Sequence, residues 1–128
     1  MPAIRNVDAV VLRVPDLEQG LAFYRDHLGH RLLWRSEDRC GLAMAGSETE
    51  LVLSTGLGPE TDLRVVSVDE AAASFVAGGG RILAGPQEIP IGKVVVVADP
   101  FGNQLVLLDS SKGKYRTDDS GRILGVEP

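Results

Sequence analysis

The sequence predicts an α+β fold made of two βαβββ modules within one domain over residues 1–128. Two observations carry that expectation. The order strand, helix, strand, strand, strand is legible from residue 6 and starts again near residue 61. Sparse identities at a near-constant offset also link the halves. Val14 matches Val66, Glu18 matches Glu70 and Phe23 matches Phe75, and Glu50-Leu51-Val52-Leu53 echoes Gln104-Leu105-Val106-Leu107. The modules are expected over 5–56 and 61–109, with a tail over 110–128.

Residues 6–14 are dense in Val and Leu, and alternation places Val7, Ala9, Val11 and Arg13 on one face of a strand. Pro15 breaks it. Asp16 then reads as a helix N-cap with Gln19 as its capping-box partner. Leu17, Leu21, Tyr24 and Leu28 recur at helical spacing over 17–28, and Gly29 ends the helix. Strands over 31–36, 39–45 and 49–55 follow, with turns at Glu37-Asp38 and Gly46-Ser47. A short linker over 56–60 leads to a strand over 61–68. Asp69 is expected to cap a helix over 70–78, which Gly78-Gly79-Gly80 stops. Strands over 81–84, 94–98 and 104–108 complete the module, with 85–92 a loop or irregular edge and Asp99-Pro100-Phe101-Gly102-Asn103 a tight turn. In the tail, Tyr115-Arg116-Thr117 and Ile123-Leu124-Gly125-Val126 flank a polar turn. They read as a hairpin that packs over the cleft or against a partner subunit.

Composition narrows the function. The chain has 128 residues, 44% hydrophobic and 24% charged, an ordinary globular balance with enough length for one core. No apolar run approaches the ~20 residues of a membrane span, so no membrane association is expected. The start lacks an apolar signal region, and a cytoplasmic location is expected. Net charge is −5, and the basic residues are scattered apart from Lys112, Lys114 and Arg116. Such a surface repels phosphate backbones, which disfavours nucleic acid. A single cysteine, Cys40, excludes an internal disulfide and any multi-cysteine metal cluster, and reads as a small strand residue.

Val14-Pro15-Asp16-Leu17-Glu18, then Leu21-Ala22-Phe23-Tyr24-Arg25-Asp26 and Leu28-Gly29, resemble the first helix of the vicinal oxygen chelate superfamily. That superfamily includes glyoxalase I, extradiol dioxygenases and bleomycin-resistance proteins. The Asp99–Asn103 turn and the apolar strand after it are similar to the superfamily's last hairpin. The resemblance covers about residues 5–109 and implies two modules forming a curled sheet around a central cleft. In metal enzymes of this kind, four inward side chains from the first and last strands of each module hold a divalent ion through His, Glu or Gln.

The resemblance puts those positions at Ala9, Glu50, Thr61 or Leu63, and Val106. The third is open: the repeat offset gives Thr61, and matching Val68-Asp69 to the family's Val-Asp pair gives Leu63. Only Glu50 is a ligand type, so neither a metal, a cofactor nor a catalytic residue is expected. His27 and His30 fall at a helix end and a strand start and read as solvated or capping residues.

The inward face implied by the resemblance is mainly apolar with a few polar points, the usual make-up of a small-molecule site. The candidate binding residues are Ala9, Arg13, Trp34, Glu50, Thr61, Leu63 and Val106. Trp34 is either a stacking surface or part of the core. Arg13 and Glu50 either pair, or anchor a ligand carboxylate and amine, or Arg13 reaches water. A carboxylate facing an apolar cleft would have a raised pKa. The expected function is metal-independent binding of a small apolar or aromatic molecule in a homodimer, as in antibiotic sequestration by bleomycin-resistance relatives. Two alternatives stand beside it: a glyoxalase- or dioxygenase-type enzyme (a lyase or oxidoreductase) with a non-standard site, and a ligand-free assembly module.

Overall fold

The computed structural model describes residues 2–128 and divides into two compact units. One comprises Asp8–Glu60 and Tyr115–Gly125. The other comprises residues up to Val7, Thr61–Lys114 and Val126–Pro128.

In the first unit the chain runs through β1 (Ile4–Arg13, from Asp8 on), α1 (Leu17–Leu21), a π-helical turn at Ala22–His27, β2 (Leu32–Arg35), β3 (Arg39–Met44) and β4 (Ser47–Ser54). The strands pair in the order β2-β3-β4-β1. The β2–β3 and β3–β4 contacts are antiparallel, and β4 lies parallel to β1. In the other unit β5 (Glu60–Val65), α2 (Val68–Ala77), β6 (Arg81–Ile89), β7 (Gly92–Ala98) and β8 (Gln104–Leu108) repeat the plan. Their strands pair in the order β5-β8-β7-β6, with β5 parallel to β8 and the rest antiparallel. The β-α-β-β-β order expected from the sequence therefore occurs twice, with the same pairing each time.

Local chemistry explains the elements and their departures from expectation. Asp16 caps α1 as predicted, accepting from the Gln19 backbone N–H at 2.8 Å and from the Gln19 side chain. The helix over 17–28 does not continue as one α-helix. Beyond Leu21 it widens, and the Leu28 N–H donates to the Phe23 carbonyl five residues back at 2.9 Å. Tyr24 is then packed against the core while Phe23 stays half exposed. Gly20 lets the helix lie close to the sheet, since a Cβ there would stand 2.9 Å from Leu53 Cδ1. In the second unit the helix starts earlier than expected. Ser67, not Asp69, is the N-cap, its hydroxyl accepting from the Glu70 N–H at 3.2 Å. The strand before it accordingly stops at Val65 instead of residue 68. The stretch over 85–92 is not a loop: β6 runs to Ile89 as a bulged edge strand, with register shifts on either side of Ala84.

Each helix covers one face of the strands of its own unit. Leu17 and Leu21 pack with Val14, Cys40, Leu42 and Leu53. Val68, Ala71 and Ala72 pack with Val65, Val95, Val97 and Leu107. Cys40 is fully buried, and burial pushes its thiol pKa up, which fits the small strand residue expected of it. Among the described residues, Ser54 and Asp109 are the buried polar ones, and Asp109 is the charged one. Its carboxylate, only 3% exposed, accepts from the N–H groups of Val68 (2.8 Å), Lys93 (3.0 Å) and Ser111 (3.2 Å) and from the Ser111 hydroxyl (2.8 Å). Burial alone would raise its pKa, but these donors outweigh that and hold it below the ordinary carboxylate value. One carboxylate thus caps α2 and fixes the start of β7.

The tail forms a hairpin of β9 (Lys114–Thr117) and β10 (Ile123–Glu127), a two-stranded sheet of its own. Asp118 builds its turn, accepting from the N–H groups of Ser120 and Arg122 and from the Ser120 hydroxyl. Among the described residues no helix is long and apolar enough to cross a membrane.

Candidate functional site

In the first unit, the sheet face turned away from α1 gathers Ala9, Val11, Trp34 and Val52 into a separate buried cluster. Strand register dictates this grouping. Ala9 lies opposite Glu50 and Val11 opposite Val52 on the parallel β1–β4 pair. Trp34 lies opposite Gly41, and Gly41 opposite Val52. The indole therefore crosses the bare backbone at Gly41, and its Nε1–H donates to Glu50 Oε1 at 2.6 Å. A Cβ at position 41 would stand 2.5 Å from the indole Cε2 and 2.7 Å from Glu50 Oε1, so the arrangement requires glycine there.

The β9–β10 hairpin supplies the cover. Tyr115 and Ile123 pack on the cluster, and the Tyr115 ring lies 5.5 Å from the Trp34 ring at 46°. Trp34 is left 9% exposed. The hairpin is joined to β2 by a 2.7 Å hydrogen bond from the Arg35 N–H to the Gly121 carbonyl and by a parallel bridge between Arg35 and Arg122. Beside this seam lies an open recess of about 400 Å³ lined by Arg35, Ser36, Glu37, Ser120, Arg122 and Ile123. Ile123 belongs both to the recess wall and to the apolar cover of the cluster of Ala9, Val11, Trp34 and Val52.

Of the residues expected to bind, Ala9, Trp34 and Glu50 come together. Arg13 does not join them. It is exposed and lies opposite Ser54, four residues along β1 from Ala9. In the second unit Val106 lies opposite Asp62, and Leu63 opposite Leu107. Leu63 packs on the α2 core, so it faces away from Val106, and Thr61, two residues earlier, shares the phase of Leu63. The expected sharing of one face by Val106 and Thr61 or Leu63 is therefore corrected: Asp62 holds that place. Sequence reasoning also passed over Gly41, although a glycine inside a strand signals close approach of another group. His30 is tied to the scaffold, with Nδ1 2.9 Å from the Ala43 carbonyl oxygen, and His27 lies beside the Phe23 ring.

The donor set does not suit a family-type divalent metal. Ala9 and Val106 offer no donor atom, Thr61 and Leu63 share the opposite face, and Glu50 is engaged by the indole, so Asp62 beside Val106 is the one further carboxylate at these positions. Among the described residues, no three His, Cys, Asp or Glu side chains gather where they could hold an ion.

The family model for the Glyoxalase/Bleomycin resistance protein/Dioxygenase superfamily matches residues 6–107. Similar solved structures include methylmalonyl-CoA epimerase from Mycobacterium tuberculosis, at 19% identity and a TM-score of 0.69, covering 87% of this chain and 91% of that one. They also include homoprotocatechuate 2,3-dioxygenase from Brevibacterium fuscum, in complex with 3,4-dihydroxyphenylacetate, at 26% identity and a TM-score of 0.64. This match covers 85% of the present chain but 37% of the dioxygenase. The dioxygenase from Arthrobacter globiformis gives 27% identity and a TM-score of 0.63, covering 85% of this chain and 37% of that one. No curated protein matches the chain.

Proposed function

The chain belongs to the Glyoxalase/Bleomycin resistance protein/Dioxygenase superfamily, and from that premise we propose that it binds a small aromatic or apolar molecule without a metal. One observation carries the reading: Trp34, seated over Gly41 and hydrogen-bonded to Glu50, forms a flat aromatic surface walled by Ala9, Val11 and Val52. An apolar wall with one polar point is the make-up of a site that binds by burial and orients by a single hydrogen bond. The 3,4-dihydroxyphenylacetate held by the Brevibacterium fuscum dioxygenase carries a planar aromatic ring, which supports the aromatic part of the ligand class. A homodimer is part of the proposal. So is a cytoplasmic setting, which suits a buried free thiol.

A second reading has its own support. Tyr115 already packs on Trp34, and Ile123 on the cluster around it, as a ligand-free assembly module would require. Ligand titration separates the two. Trp34 is the single tryptophan, so its fluorescence reports this site alone. Titration with p-cresol and 1-naphthol is expected to quench it saturably, with Kd of roughly 0.01–1 mM for ligands of this size. Absence of binding by these and larger neutral aromatics would overturn the binding reading in favour of the module. Near-stoichiometric Ni, Zn, Fe or Mn in the purified protein would overturn its metal independence.

A further inference from the structure

We propose, building on the binding reading above, that Tyr115 is the built-in occupant of the Trp34 site, so that the site takes a planar ring of phenol size and admits it by releasing the β9–β10 hairpin. Three observations converge on this. The first is chemical. Tyr115 presents a phenol ring to the indole at 5.5 Å, the separation at which two aromatic rings attract one another. A ligand that takes its place must reproduce that contact, which selects a flat aromatic group over a branched aliphatic one.

The second is mechanical. The hairpin is a two-stranded sheet of its own and not an extension of β2-β3-β4-β1. An isolated two-stranded hairpin is marginally stable, so its position depends on docking. Its tie to β2 is the Arg35–Gly121 hydrogen bond and the bridge beside it. Releasing that seam leaves the four-stranded ladder and the α1 core intact, and it leaves the Trp34–Glu50 bond in place because neither partner lies on the hairpin.

The third is the route. The recess of about 400 Å³ beside the seam is lined by Ile123, which also packs on the cluster that holds Trp34. A ligand in the recess reaches Trp34 when Ile123 and Tyr115 move away together. Closed hairpin and bound ligand then exclude one another, and the measured affinity is the intrinsic affinity reduced by the fraction of open molecules.

The test compares p-cresol binding by calorimetry in the wild type and in the Tyr115→Ala/Ile123→Ala variant, both as the full chain. The variant is expected to bind at least tenfold more tightly. Equal or weaker binding by the folded variant would overturn the hairpin's role while leaving the binding reading standing. Failure of both proteins to bind p-cresol and larger aromatics would overturn the binding reading itself. Should the double variant fail to fold, hydrogen exchange on the wild type decides. Saturating p-cresol is expected to speed exchange of the Arg35 amide severalfold while the Leu53 amide is unchanged. An Arg35 amide equally protected with and without p-cresol would overturn the proposal.

Discussion

Gly41→Ala tests the architecture of the site at its tightest point. The added methyl would lie 2.5 Å from the indole Cε2 and 2.7 Å from Glu50 Oε1, distances no carbon tolerates. The ring stands on backbone and has no space beneath it, so it must tilt off β3. Two losses follow. The Nε1–Oε1 bond, a hydrogen bond to a carboxylate, is worth about 1.5–3 kcal/mol. Exposing about half of a buried tryptophan, roughly 100 Å², costs about 2.5 kcal/mol at ~25 cal/mol per Å². The sum is about 4–5.5 kcal/mol. For 128 residues, an unfolding entropy of ~2.1 cal/mol/K per residue converts this to a fall in Tm of about 15–20 °C. Thermal denaturation followed by circular dichroism measures it, and tryptophan emission should shift to the red as Trp34 meets water. A variant that melts within about 3 °C of the wild type with unshifted emission would show that the indole does not rest on Gly41.

Two further predictions concern the scaffold of the second unit. Asp109→Asn keeps one acceptor but turns an amide N–H₂ toward a backbone donor, either Val68 N–H or the Lys93 and Ser111 set. It should destabilise the protein by about 3 kcal/mol, read from urea unfolding. Because the folded carboxyl titrates below its ordinary value, its contribution is complete above the ordinary carboxylate range and is lost as pH falls through the depressed value. The gap between wild type and variant should therefore narrow below about pH 4, and a gap that widens in acid would contradict the assignment. Ser67→Ala removes the α2 cap and should cost about 1 kcal/mol, whereas Asp69→Ala should not reproduce that cap loss; guanidinium melts of the two variants compare them directly.

The repeat was legible because its signals are local. Strand alternation, the Asp16 cap and the glycine stops each declare themselves within a few residues, and tertiary packing agreed with them. The site was legible only in part. Ala9 could be placed by the alternation of its strand and Glu50 through the family resemblance, whereas Trp34 stayed open between a stacking surface and the core, on a strand whose register shifts between Leu32 and Trp34. The error at Thr61 or Leu63 came from the mapping: the repeat offset gave the one and the family's Val-Asp pair the other, and both are one residue out of phase with Asp62. In a strand a one-residue slip moves every side chain to the other face, so Asp62 and not Leu63 stands beside Val106. Contacts that depend on long-range register left little local trace beyond Gly41, a glycine inside a strand. The reach of Trp34 across Gly41 to Glu50, and the seating of Tyr115 on the indole, join residues far apart in the chain.

Trp34 and Glu50 are the proposed binding surface for an aromatic molecule. The indole N–H resonance of Trp34 tests it most directly, because the chain holds one tryptophan and that proton lies in the bond to Glu50. Titrating p-cresol into isotope-labelled protein should move this resonance progressively and saturably as the ring is replaced over the indole. A resonance that stays fixed while p-cresol binds elsewhere, or while no aromatic binds at all, would contradict the account.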